Sequence, residues 1–269
     1  IDYSKLPSQA GMKYKKAFKK HDEKRYAEYI ESVAKGEKTI NTATLYPYQI
    51  YKSVERGDDV KVLDVMWNNL PDYTQGKNAL VVADVSGSMS GDPLSVSVSL
   101  DLYFADKNKG QFKDHFITFS ANPIFQQIQG KNIREKMDSI EHSQWDMNTD
   151  LNKVFAELLR IATTYNTPKD EMPATIYIIS DMEFDSCAGG TNFEAIKKMF
   201  ASTEYEMPSI VFWNVNATHK QVPVTKDERG VTMVSGFSAS TFSLAVDGKS
   251  PIELMEEVIN SERYCKILG

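Results

Sequence analysis

The stretch Leu80-Val81-Val82-Ala83-Asp84-Val85-Ser86-Gly87-Ser88-Met89 decides how the rest of the chain is read. A small apolar run ends in an aspartate, and two serines follow in the spacing D-x-S-x-S. An unbroken apolar run of this kind suits a strand buried on both faces of a parallel sheet. Gly87 and Ser90-Gly91-Asp92-Pro93 then read as a loop entering a helix, with Pro93 in the first turn. One carboxylate and two hydroxyls at the carboxyl end of a strand are hard oxygen donors. They suit Mg²⁺ or another hard divalent ion and suit Zn²⁺ poorly.

Downstream of Asn78, strand-like and helix-like runs alternate. The strand-like runs are 79–84, 115–119, 174–180, 209–215 and 231–235, and Pro123 to Ile128 fits a short edge strand. The helix-like runs are 132–141, 150–165, 192–204 and 251–264. Alternation of this kind predicts an α/β fold with a doubly wound, mostly parallel sheet and helices on both faces. Leu94 to Leu102 alternates with period two, which by pattern is a strand. A parallel sheet needs a crossover between its first two strands, so a helix is expected there instead.

Upstream, residues 8–34 read as one helix. Phe18, Tyr26, Tyr29, Ile30 and Val33 lie on one side of it, and Lys13, Lys16, Lys20 and Lys24 on another. Tyr46-Pro47 opens a second helix ending near Gly57, and Asp58-Asp59 opens a third carrying Val62, Leu63, Met66 and Trp67. The expected organisation is a helical segment over 1–75, the end of a larger helical region, followed by a domain over 76–269. The chain begins at Ile1 rather than Met, which suggests a piece of a longer protein.

Composition excludes some classes. No apolar run is long enough to span a bilayer, so no membrane role is expected. Cys187 and Cys265 make neither a disulfide framework nor a metal motif, and favour a reducing, cytoplasmic setting. The net charge of −6 conceals a basic start: residues 1–38 hold ten Lys or Arg against six Asp or Glu. Such an arm is either a solvated helix face or a nucleic-acid contact, with Lys13, Lys16, Lys20 and Lys24 as the candidates.

Further metal donors must follow other strands, because open α/β sheets bind ligands outside the carboxyl ends of their strands. Asp181 ends the run Thr175 to Ser180 as Asp84 ends its own. Thr149 precedes an amphipathic helix and can either cap it or offer its hydroxyl to a metal. Thr191 and Glu194 fit a capping box. Glu183 and Asp185 are either ordinary loop acids or outer-shell groups. Trp213-Asn214 and Ser235-Gly236-Phe237 end two strands on the same side, as pocket walls or as core and turn.

Together Asp84, Ser86, Ser88, Thr149 and Asp181 resemble the von Willebrand factor A domain and its metal-ion-dependent adhesion site, over residues 78–265. In that family D-x-S-x-S follows the first strand, a Thr comes from a middle loop and an Asp follows the fourth strand. The Thr loop there carries glycines, whereas this chain has Asp146-Met147-Asn148. The resemblance implies a Rossmann-like fold and a site for Mg²⁺, or Mn²⁺ or Ca²⁺. Its ion would recruit a Glu or Asp from a partner protein. Leu6-Pro7-Ser8, Lys20-His21-Asp22, Arg25-Tyr26 and Ser180 to Asp185 are similar to a family of unknown function that places a helical region before such a domain. By architecture that layout is also similar to the Ro ribonucleoprotein autoantigens, which implies small RNA as an alternative partner.

A metal-dependent hydrolase is the third reading. It lacks a phosphate-cradling loop, a nucleophile-elbow frame and a general base that can be named among His21, His115, His142 and His219. No enzyme activity and no catalytic residue is therefore expected.

Overall fold

The computed structural model describes residues 1–74, 76–84, 89–118, 122–143, 151–180, 192–215 and 231–236, together with 252, 255, 256, 259 and 260. Its centre is a six-stranded sheet. The strands are β1 (Ala79–Ala83), β2 (His115–Thr118), β3 (Phe125–Gln127), β4 (Thr175–Ser180), β5 (Ser209–Asn214) and β6 (Val231–Ser235). Their order is β3-β2-β1-β4-β5-β6, and every pair is parallel except β2 with β3. β1 is buried along its whole length, which explains why it reads as an apolar run without alternation. The short antiparallel β3 sits at the edge, as the Pro123 to Ile128 segment predicts.

From β1 the chain moves to β2 on one side, and after β3 it returns to β4 on the other. The strand order therefore reverses between β1 and β4, the topological switch point at which open α/β sheets form their crevice. In register, Ala83 pairs with Ile179, so Asp84 and Ser180 emerge side by side at that point.

One face of the sheet is covered by α7 (Leu151–Thr164) and α8 (Asn192–Ala201). There Leu80, Val82, Ile176, Ile178, Ile210 and Phe212 meet Val154, Phe155, Leu158, Phe193, Ile196 and Phe200. The other face, with Val81, Tyr177, Ile179 and Trp213, is covered by α5 (Asp92–Lys107), and α6 (Ile133–Glu141) packs beside α5 in the same apolar cluster. Phe104 of α5 stacks on Tyr177 with centroids 4.6 Å apart and planes 16° from parallel.

The period-two stretch is thus a helix, and burial explains its pattern. Every residue of α5 from Ser95 to Ala105 is buried, so there is no solvent face to set a period of 3.6. Its serines are accommodated locally: Ser95 Oγ donates to the Gly91 carbonyl at 3.2 Å, and Ser99 Oγ to that of Val96 at 3.0 Å.

The upstream helices provide the outer cover of α5. They are α1 (Ser8–His21), α2 (Glu23–Ala34), α3 (Pro47–Glu55) and α4 (Val60–Asn68). The expected single helix over 8–34 is therefore two. At Asp22 the backbone leaves the helical region (φ −146°, ψ 44°), and its carboxylate is held by the Tyr3 hydroxyl at 2.7 Å and by Arg25 Nε at 2.8 Å. A tertiary contact, with no Gly or Pro to announce it, breaks the helix. Ile50, Val54, Leu63, Met66 and Trp67 join the same apolar cluster as α5 and the inner sheet face. The Tyr103 hydroxyl donates to the Pro71 carbonyl at 2.6 Å and accepts from the Tyr73 amide at 3.1 Å.

The expected helix over 251–264 lies mostly outside the described residues, although 252, 255, 256 and 259 are helical. Among the described residues no helix is long and apolar enough to cross a membrane.

Candidate metal centre

Asp84 is 2% exposed at the carboxyl end of β1. Its amide continues the parallel ladder by donating to the Ile179 carbonyl at 3.0 Å. One carboxylate oxygen, Oδ2, accepts from Ser180 Oγ at 2.8 Å. A buried carboxylate needs such partners, because desolvation without compensation is costly. Ser180 escaped the sequence reading. A hydroxyl ending the apolar run Thr175-Ile-Tyr-Ile-Ile-Ser180, directly before Asp181, was the available signal.

Met89, just past the D-x-S-x-S motif, is fully buried, and Gly91 follows with φ +90° and ψ −132°, a conformation that suits glycine. Pro93 sits in the first turn of α5 as expected, and the carboxylate of Asp92 forms an ion pair with Lys52 of α3. Both described ends of the motif are thereby fixed in the fold. Ser86, Ser88, Thr149, Asp181, Glu183 and Asp185 lie outside the described residues, as does Thr191. Among the described residues no three His, Cys, Asp or Glu side chains converge on a point that could hold a metal ion. A site made of one described aspartate and hydroxyl-bearing loops would not form such a cluster.

Other strand-end residues resolve differently. Trp213 is buried in the core, and its Nε1 donates to the Gly236 carbonyl at 2.6 Å. The Gly236 amide donates to the Asn214 carbonyl at 2.9 Å, so Trp213, Asn214 and Gly236 serve as core and turn, while Phe237 lies outside the described residues. His115 stacks on Phe125, and its Nδ1 is 2.7 Å from the Lys113 carbonyl oxygen. His142 Nδ1 lies 2.6 Å from the Asp138 carbonyl oxygen, and His21 is exposed at the end of α1. His219 is outside the described residues.

The four lysines of the basic arm are not equivalent. Lys13 is exposed, with its ammonium 5.3 Å from the Tyr14 ring centroid. Lys16 forms an ion pair with Asp58 at 2.6 Å, and the buried Lys15 meets the other oxygen of Asp58 at 2.8 Å. Burial raises the Asp58 carboxyl, but the hydrogen bonds from Lys15 and Lys16 outweigh it and hold it below the usual carboxylate range. Lys20 and Lys24 are exposed and form no ion pair among the described residues.

A second buried carboxylate was also missed. Asp101 of α5 is 1% exposed, and its Oδ2 has no hydrogen-bond partner among the described residues. Desolvation pushes its carboxyl well above the usual range. Ser97, one turn earlier, is equally buried, and its Oγ also lacks a partner among the described residues.

Fold and site together define a doubly wound α/β protein with a buried carboxylate at the switch point and a helical layer docked on the crossover helix. The chain belongs to the family described as Domain of unknown function (DUF7788), whose model matches residues 78–265. A second model, Domain of unknown function (DUF2828), matches residues 1–86. The uncharacterized protein L728 of Acanthamoeba polyphaga mimivirus is 29% identical over 286 residues, covering 98% of this chain. The chain spans about half of that relative's length, 48%. Among solved structures, the RO (RSR) protein of Deinococcus radiodurans is similar with a TM-score of 0.51 at 15% identity. That match covers 71% of this chain and 38% of the other. At that identity the likeness is one of fold.

Proposed function

We propose that this chain is a divalent-cation-dependent recognition module of the von Willebrand A type. The observation that carries the proposal is the bond from Ser180 Oγ to Asp84 Oδ2. It ties the tip of β1, where D-x-S-x-S begins, to the tip of β4, whose next residue is Asp181. Asp84, Ser86, Ser88, Thr149 and Asp181 would hold the ion, with Glu183 and Asp185 as outer groups. Hydroxyls dominate this set, which suits Mg²⁺ or Mn²⁺ and leaves the ion electrophilic. A bound ion would supply Lewis acidity toward an external Glu or Asp carboxylate from a partner protein. Binding rather than turnover is proposed, since the described histidines stand against their own backbone or in solvent.

The test is calorimetric titration of Mn²⁺ and Mg²⁺ into the wild-type chain and Asp84→Ala. Saturable binding lost in the variant is the expected result, and equal Mn²⁺ affinity in both would end the proposal. A pull-down with and without chelator then asks for the partner.

A ribonucleoprotein-like scaffold is the second reading. It is supported by the fold likeness to the RO (RSR) protein and by Lys20 and Lys24, which form no ion pair among the described residues. It predicts RNA binding that weakens steeply with salt and with neutralisation of Lys13, Lys16, Lys20 and Lys24. Absence of RNA binding at low salt would remove this reading.

A further inference from the structure

Away from the sheet, α1 and α3 border an open cavity of about 510 Å³ lined mostly by cations. Five cations line it, Lys13, Lys15, Lys16, Lys52 and Arg56, and the lining includes a single carboxylate, Asp58. Asp58 is already shared by Lys15 and Lys16, and Lys52 is answered from outside the lining by Asp92. Lys13 and Arg56 have no carboxylate partner among the described residues. Five cations against two carboxylates leave an excess of three positive charges on a chain whose net charge is −6. A concave wall of one sign focuses its field and concentrates counter-ions.

The frame of the cavity is fixed. Gln9 and Gln49 exchange amide hydrogen bonds at 3.2 and 3.1 Å and clasp α1 to α3. Arg56 Nη2 donates to Ser53 Oγ at 3.0 Å, which orients the guanidinium while its remaining N–H groups stay available. The buried Lys15 ammonium donates to the Met12 carbonyl at 3.1 Å and to Ser53 Oγ at 3.3 Å behind them. Tyr48, on α3 like Lys52, also lines the cavity, and its ring is stacked on Tyr46 at 5.9 Å, which puts an aromatic ring among the cations. The volume falls within the range of small-molecule sites and exceeds what a lone anion fills.

We propose that this cavity binds an organic polyphosphate of nucleotide size. Its phosphates would be neutralised by Lys13, Lys16 and the planar fork of Arg56, and its flat body would lie on Tyr48. Three or more phosphate charges match the excess, and neither an uncharged ligand nor a cation does. The inference does not depend on the metal centre, from which it uses no residue.

The test is calorimetric titration of adenosine triphosphate and of inorganic tripolyphosphate in metal-free buffer at low salt. Both are expected to bind saturably at one site. Affinity should fall about tenfold or more in Lys13→Gln/Arg56→Gln, the size of a lost charged contact. It should be unchanged in Lys77→Gln/Lys131→Gln, two exposed lysines outside the cavity. Arg56→Lys, which keeps the charge and loses the fork, should fall between wild type and the double variant. No saturable binding, or an equal loss in both double variants, overturns the proposal. So does binding of a short single-stranded RNA when neither small probe binds, which would instead favour the scaffold reading. Failure of Mn²⁺ binding in the earlier experiment leaves this one unaffected.

Discussion

The Tyr51 hydroxyl, on α3, donates to Glu141 Oε1 at the end of α6 over 2.7 Å, across 90 residues of sequence. Two further bonds run in parallel with it. The Ile133 amide donates to Asp64 Oδ1 at 2.7 Å, and Arg134 donates to the Val54 carbonyl. Burial, followed by the Glu141 hydrogen bond, pushes the Tyr51 hydroxyl above its usual range, so it remains a donor throughout the working pH range. The helical layer and the α/β layer are thus joined by polar contacts as well as by the apolar core around α5.

A single unfolding transition follows. Ile50 in α3 and Ile178 in β4 are both fully buried, one in each layer. Ile50→Ala and Ile178→Ala should each cost about 2–5 kcal/mol. In thermal and denaturant unfolding both variants should shift the same transition. Two separable transitions, each sensitive to only one variant, would disprove the joint fold.

Ser180→Ala should leave the fold in place and weaken Mn²⁺ binding about 10–100-fold, the usual effect of removing a group that orients a ligand. Asp84→Ala should abolish binding. Calorimetry separates the two, and a Ser180→Ala affinity equal to wild type would show that the Ser180 bond does not orient Asp84 for a metal.

Asp101 makes stability depend on pH in the unusual direction. In the folded chain desolvation holds its carboxyl well above the ordinary value of 3.8, near which it ionises in the unfolded chain. Above that value the unfolded state binds fewer protons, so this group costs stability as pH rises toward its raised folded value. The slope is at most about 1.4 kcal/mol per pH unit. Asp101→Asn should therefore show a gain over wild type that grows as pH rises above 3.8 in denaturant titrations, and a gain independent of pH would contradict the account.

Asp58→Asn should destabilise the chain by about 3–5 kcal/mol, because Lys15, only 8% exposed, would lose its counter-charge. Asp58 is held below the usual carboxylate range, so the stability it provides is present above its unfolded pKa and lost as acid takes pH down through the depressed one. The variant should lack that part of the acid limb. Adding Lys15→Met to Asp58→Asn should recover much of the loss, and no recovery would mean the pair is not coupled.

Strands were legible because both faces of a parallel sheet are covered, and Val81, Ile178 and Phe212 report that burial directly in an apolar run. α5 was legible only through topology: a helix with no wet face carries no helical period, and Asp101 in its alternating pattern looks solvated. The break at Asp22 was invisible because Tyr3, nineteen residues away, makes it. Asp84 could be found from its motif. Ser180 could not, since a serine ending a strand gains meaning only when its neighbour in the sheet is known. The lysines of α1 look alike in sequence. Distances to Asp58 separate Lys15 and Lys16 from Lys13, and those distances depend on where α3 ends.

Because α5 is enclosed from Ser95 to Ala105, the described residues show no seam between the two layers. The matches to the two family models overlap over residues 78–86, which hold β1 and the start of its aspartate motif. An α/β domain transplanted without α1 to α4 would carry an apolar stripe to its surface, and the helices alone would lose the wall they rest on. A transplant that keeps this apolar surface covered has to carry both layers.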